Sequence, residues 1–368
     1  MADSRLNQLS ALGQSVWIDY LSRDLLRSGE LARMIREDAV VGVTSNPTIF
    51  QKALAEGDGY DEQMREVLAG QDDLKEVFLA LEIKDVQDAC DLLRPVWDAT
   101  NGKDGYVSIE VDPTLAFDTD GTIAEAQRLH DQVDRPNCLV KIPATKDGLP
   151  AIEEMIARGH NINVTLIFSL RRYEEVVEAY HRGLERLVET GGDPATVTSV
   201  ASFFVSRVDT EADRRLEEVG APDELKGKLA IANAKLAYAR YKELHSGERW
   251  QALQDKGAHT QRCLWASTST KNPAYRDVMY VEELIGPETV DTMPQETIDA
   301  FEDHGETALT LEADLDEAHR VFEQIAEAGV DYDDVVVTLE QEGVQKFSDS
   351  FVELLDGVEA KRGELVSA

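Results

Sequence analysis

Lys141 stands between Val140 and Ile142 in CLVKIPATKDG, residues 138–148, a run that otherwise reads as a buried strand and whose apolar part carries no acidic residue. Burial strips an ammonium of its hydration and disfavours the charged form relative to the free amine. An uncharged amine condenses with a ketone or aldehyde, and the resulting iminium draws electrons from an adjacent C–C bond. The alternative is a structural lysine paired with Glu110 or Asp19, which would equally demand a polar pocket around it.

Other polar residues interrupt apolar runs in the same way: Asp19, Asn46, Glu110, Asn163, Thr165, Ser202 and Ser267, each read as at or near the C-terminal end of its run. A strand of a parallel sheet is covered on both faces, so each interruption needs a partner or a purpose. Taken singly, an Asn or Ser of this kind is most simply a hydrogen-bonded core or capping residue. Taken together with a lysine and two carboxylates, they predict one polar mouth. The strand period of two puts Asn163 with Thr165 on one face, and Ser202 with Phe204 on one face.

The elements that must position these residues follow from periodicity. Strand-like runs are expected at 15–20, 39–45, 106–111, 138–144, 162–168, 196–205, 262–268 and, most weakly, 288–294, with helical spacing between them. Eightfold βα alternation favours an α/β fold of the (β/α)8 TIM-barrel kind, with its chemistry at the C-terminal strand ends. The stretch 51–105 is too long for one helix, and YDEQMREVLAG and LKEVFLALEIKDVQDACDLLRPVW predict two additional helices after strand 2. Residues 295–368 read as an acidic C-terminal helical extension packed on the barrel. No linker or repeat divides the chain, so 1–368 is expected to be a single domain.

The 368 residues include 42% hydrophobic and 30% charged, and they carry a net charge of −35. Such a field repels polyphosphates and anionic lipid, which argues against nucleic-acid and membrane partners. An anionic substrate would need basic groups close by, within a Debye length of roughly 10 Å at 0.1 M salt. Cys90, Cys138 and Cys263 are odd in number and lack CxxC spacing, which suits a reducing, cytoplasmic setting. The N-terminus has no signal-peptide pattern, and no apolar stretch approaches the length of a spanning helix. Histidine spacing supports no metal site. The sequon at 163–165 falls in an expected buried strand and is discounted.

The residues around Lys141 resemble those of the transaldolases, in the class I aldolase group. GVTSNPTIF (42–50) is similar to the family's second-strand signature and LVKIPATKDGLPAIEEM (139–155) to its Schiff-base lysine signature. WIDYLSRDLL, SIEVDPTLAFDT, NVTLIFS and ASFFVSRV extend the likeness over roughly residues 14–275. The resemblance implies that Lys141 forms an iminium with C2 of a ketose phosphate and that Asp19 exchanges the proton of the C4 hydroxyl. It implies that Glu110 and Thr165 hold a proton-moving water, that Asn46, Asn163 and Ser202 bind the dihydroxyacetone hydroxyls, and that Phe204 packs beside them. Arg207 matches a phosphate-binding arginine. Near the seventh strand a second such arginine is often present in the family; here Ser267 is followed by Lys271, a point charge without the guanidinium fork. The implied activity is transfer of a dihydroxyacetone unit between sugar phosphates, from sedoheptulose 7-phosphate or fructose 6-phosphate to glyceraldehyde 3-phosphate or erythrose 4-phosphate in the non-oxidative pentose phosphate pathway. No cofactor is implied, and monomer or homodimer both remain open.

Three other readings compete. A fructose-6-phosphate aldolase-like enzyme would release free dihydroxyacetone. FDTDGTIAE (117–125) mimics the DxDGT motif of haloacid-dehalogenase-like phosphatases, but Asp112 and Pro113 spoil the preceding strand, and a turn capping a helix near Thr122 fits better. A non-enzymatic acidic scaffold accounts for the charge and not for the convergent polar residues.

Overall fold

The computed structural model describes residues 4–55 and 58–367. Eight parallel strands close into a barrel in chain order: β1 Gln14–Asp19, β2 Val40–Thr44, β3 Tyr106–Glu110, β4 Cys138–Pro143, β5 Ile162–Ile167, β6 Ser199–Phe204, β7 Arg262–Ala266 and β8 Thr289–Met293. Helices cover the outer face, so the strands are buried on both sides, and their continuous apolar character follows. β1 approaches β2 closely at Gly42, where an added Cβ would lie 2.4 Å from the Trp17 indole. Only a residue without a side chain leaves room for that fully buried ring.

The strands stand where periodicity places them, with shifted ends. The sixth run opens later than 196 because Pro194–Thr196 forms a 3-10 turn capped by the Asp193 side chain. Between β2 and β3 lie the two expected helices, Asp61–Leu68 and Leu74–Ala99, preceded by a further one, Pro47–Ala55. The Leu229–Leu244 helix starts just after Gly227, which has φ +71° and sits against the Tyr275 ring, so the chain turns there before it can wind. Asp118 caps a helix spanning Thr119–Val133, its carboxylate accepting from the Gly121 N–H at 3.0 Å, so that helix starts three residues ahead of Thr122. After β8 the chain forms Gln295–His304, Leu315–Glu327 and the long Tyr332–Ser367 helix. No helix among the described residues is long and apolar enough to cross a membrane.

Register sets which side chains meet. Glu110 pairs with Lys141 across β3 and β4, and Lys141 with Asn163 across β4 and β5. Asn163 is only the second residue of β5, not a residue of its C-terminal end as expected. The stagger that barrel closure imposes on its strands still brings it level with Lys141.

Candidate active site

The C-terminal strand ends surround a cavity of about 680 Å3. Nine of the eleven residues singled out in the sequence line it: Asp19, Asn46, Lys141, Thr165, Ser202, Phe204, Arg207, Ser267 and Lys271. The other two lie behind its wall. Glu110 is buried against Lys141, and Asn163, wholly enclosed, accepts from Ser202 Oγ at 2.7 Å and donates to Ser108 Oγ at 3.0 Å. Asn163 thus orients Ser202 and has no surface on the cavity.

Lys141 Nζ lies 3.1 Å from Glu110 Oε2 and donates to the Ser45 carbonyl at 3.1 Å. The pairing foreseen as a structural alternative is therefore present, and it occurs on the floor of the cavity. Burial pushes the Glu110 carboxyl above its ordinary range, with the Lys141 and Arg207 charges pulling against it. A raised Glu110 beside an amine can pass a proton in either direction.

Asp19, on the cavity wall, is likewise raised by enclosure, opposed by Lys141, by the Thr44 hydrogen bond, and by Arg207 and Lys271. Thr44 Oγ1 stands 2.7 Å from Asp19 Oδ1 and 2.7 Å from Thr292 Oγ1. One hydroxyl carries one proton. If Thr44 gives it to the carboxylate, it must accept from Thr292, so the pair forms an ordered chain ending on Asp19. Glu82, on the Leu74–Ala99 helix, is a further enclosed acid: burial first, then the Glu110 and Asp85 charges, push it up to about 8, with Lys141 opposing.

Three buried polar atoms at the site have no hydrogen-bond partner among the described residues: Ser45 Oγ, Thr165 Oγ1 and Arg207 Nη1. Unsatisfied buried groups are costly, and at a cavity wall they are available to a ligand. Thr165 precedes Leu166, whose φ of +60° marks the break in the β5–β6 register, so the strand is bent where its hydroxyl faces the cavity. Arg207 is held beside Phe204, its Cζ 5.0 Å from the ring centroid. Asn46 does two things at once, since its Oδ1 also accepts from Ile49 N–H at 3.1 Å. Ser267, at φ +59°, shares a 2.8 Å hydrogen bond with Ser206. Lys271 is exposed at the rim, its Nζ 2.7 Å from Ser269 Oγ.

Sequence reading missed several lining residues: Thr44, Thr48, Lys52, Ser269, Thr292 and Phe347. Thr44 lay within GVTSNPTIF, and its polar hydroxyl at a strand end was a usable signal. Phe347 sits on the last helix, and nothing in its neighbourhood in the chain distinguishes it from a core aromatic. Lys52 and Lys271 add positive charge at the rim to that of Lys141 and Arg207 deeper in. No cluster of three or more metal-ligating side chains occurs among the described residues.

A family model described as "Transaldolase/Fructose-6-phosphate aldolase" matches residues 16–358. A transaldolase of Frankia alni is 53% identical over 361 residues, 97% of each chain. One of Thermobifida fusca is 53% identical over 358 residues, 96% of this chain and 97% of its own. "Transaldolase 2" of Streptomyces avermitilis is 51% identical over 359 residues, 97% of this chain and 96% of its own. The chain belongs to the transaldolase/fructose-6-phosphate aldolase family, and its activity is that of a transaldolase.

Proposed function

We propose that Lys141 is the covalent residue of this transaldolase and that the cavity above it receives sugar phosphates. The observation that carries the assignment is the buried Lys141–Glu110 pair on the floor of a cavity that Asp19 and the unpartnered Arg207 Nη1 also reach. Glu110 accepts a proton from the ammonium, and the free amine adds to C2 of a ketose phosphate such as fructose 6-phosphate or sedoheptulose 7-phosphate. Glu110 and Thr165 then move the protons needed to expel the C2 oxygen as water, which leaves the iminium.

Asp19 takes the proton of the C4 hydroxyl as the C3–C4 bond breaks. The electron pair is stored in the enamine, and an aldose phosphate departs. The retained three-carbon unit is held by Asn46 and Ser202, the latter oriented by Asn163, with Phe204 beside it. An incoming aldose phosphate, glyceraldehyde 3-phosphate or erythrose 4-phosphate, reverses these steps, and Asp19 returns the proton. Arg207 supplies the phosphate contact, with Lys271 as a point charge at the rim.

Borohydride reduction in the presence of fructose 6-phosphate tests the assignment. The expected product is a mass increase on the peptide containing Lys141, absent from Lys141→Ala. A modified peptide elsewhere, or none, would remove Lys141 from the mechanism. The unpaired, buried Cys90, Cys138 and Cys263 support a reducing, cytoplasmic location, which cell fractionation checks.

A further inference from the structure

The Tyr332–Ser367 helix passes over the strand ends, and three contacts hold it there. An added Cβ on Gly343 would come within 3.2 Å of Leu166 and 3.4 Å of Phe168, so the helix backbone lies close to the end of β5. Thr48 Oγ1 donates to Ser350 Oγ at 2.8 Å, tying the helix to the segment after β2. Phe351 packs edge-on against Phe78 with centroids 5.9 Å apart. One turn beyond Gly343, and between these anchors, Phe347 lines the cavity. Its ring centroid lies 6.0 Å from Lys141 Nζ and 5.8 Å from the Arg207 guanidinium carbon. One apolar side chain thus faces both the amine and the guanidinium, and it comes from the last helix of the chain.

We propose that Phe347 is the residue that sets the balance between transfer and hydrolysis, by shutting bulk water away from the carbon unit bound to Lys141. The proposal rests on the assignment of Lys141 made above. After the C–C bond breaks, the enamine has two fates. It attacks an aldehyde, which is transfer. Otherwise it takes a proton at carbon and becomes the dihydroxyacetone iminium; water then adds at C2, the C–N bond breaks, and free dihydroxyacetone leaves the regenerated amine. That water replaces the one released when the iminium formed, so the atoms balance. Transfer also ends with water added back at C2, so the second fate differs in needing a proton at carbon, and a fixed apolar ring over the nitrogen obstructs its delivery from solvent without competing for hydrogen bonds. The ring does this while remaining a weak electrostatic partner for Arg207, so the phosphate site keeps its charge.

The test compares Phe347→Ala, Phe347→Leu and Leu354→Ala with the unaltered enzyme. Leu354 is fully buried on the same helix but does not line the cavity, so its truncation loosens the helix without opening the roof. Each protein is given fructose 6-phosphate with and without an aldose phosphate acceptor, and free dihydroxyacetone is measured per transfer event. Iminium trapping at Lys141 is followed alongside. Phe347→Ala should keep trapping and raise the ratio of release to transfer roughly tenfold or more. Phe347→Leu should fall between the two, and Leu354→Ala should leave the ratio unchanged. An unchanged ratio in Phe347→Ala with trapping intact would overturn the proposal, as would an equal rise in Leu354→Ala. Should Phe347→Ala fail to fold, Phe347→Leu decides on the same ratio. Absence of trapping in the unaltered enzyme would instead strike the assignment of Lys141.

Discussion

Glu82 offers a direct test of whether the electrostatics beneath the site have been understood. Its carboxyl is enclosed and lies near the negative charges of Glu110 and Asp85, and these raise it from an ordinary 4.5 to about 8. Below pH 4.5 the group is protonated in folded and unfolded chains alike, and its contribution to stability is fully present. Between pH 4.5 and 8 the unfolded chain ionises while the folded one stays protonated, so that contribution is lost steadily. Above pH 8 both forms ionise and the loss levels off.

A rise of roughly 3.5 pH units at about 1.4 kcal/mol each gives a total penalty on the order of 5 kcal/mol, of which roughly 3 to 4 kcal/mol develops between pH 5 and pH 8. Glu82→Gln keeps the shape and removes the titration. Urea denaturation of both proteins, run at intervals from pH 5 to pH 8.5, should show a stability difference that moves in favour of the variant by that amount as pH rises. Parallel stability curves would refute the reasoning, because they would mean that Glu82 is already ionised in the folded protein. A difference moving the other way would place an unrecognised cation beside it.

Thr44 and Arg207 yield two further expectations. Thr44→Val removes the hydrogen bond that holds Asp19 down, so Asp19 rises further, the acid limb of the kcat/KM profile moves to higher pH, and activity at neutral pH falls about tenfold. An acid limb that stays in place would detach Thr44 from Asp19. Arg207→Lys keeps the charge but loses the planar fork, so kcat/KM for fructose 6-phosphate should drop by roughly 10- to 100-fold while that for unphosphorylated fructose changes little. Equal losses for both substrates would show that Arg207 acts on something other than phosphate.

The strands were legible because burial on both faces leaves a recognisable mark, an apolar run that polar residues interrupt only with cause. The ends of elements were less so, since Pro194 before β6 and Gly227 before the Leu229–Leu244 helix act through local geometry that a periodic pattern does not register. Among the residues lining the cavity, Asp19, Lys141, Thr165 and Ser202 stood out by interrupting apolar runs, and Arg207 only through its likeness to a family motif. For Asn163 the pattern shows which face the side chain takes and not how deep it sits, behind Ser202 and beside Ser108.

What the amino-acid order determined by itself was the set of elements and the kind of chemistry they carry, because periodicity and side-chain reactivity are properties of a residue and its near neighbours. The pairing of Lys141 with Glu110, the Thr292–Thr44–Asp19 chain and the Phe347 roof were decided only by closure of the barrel and the docking of the last helix. Each joins residues far apart along the chain, and the distance between two such residues is set by how the whole backbone packs, a quantity that no local stretch contains.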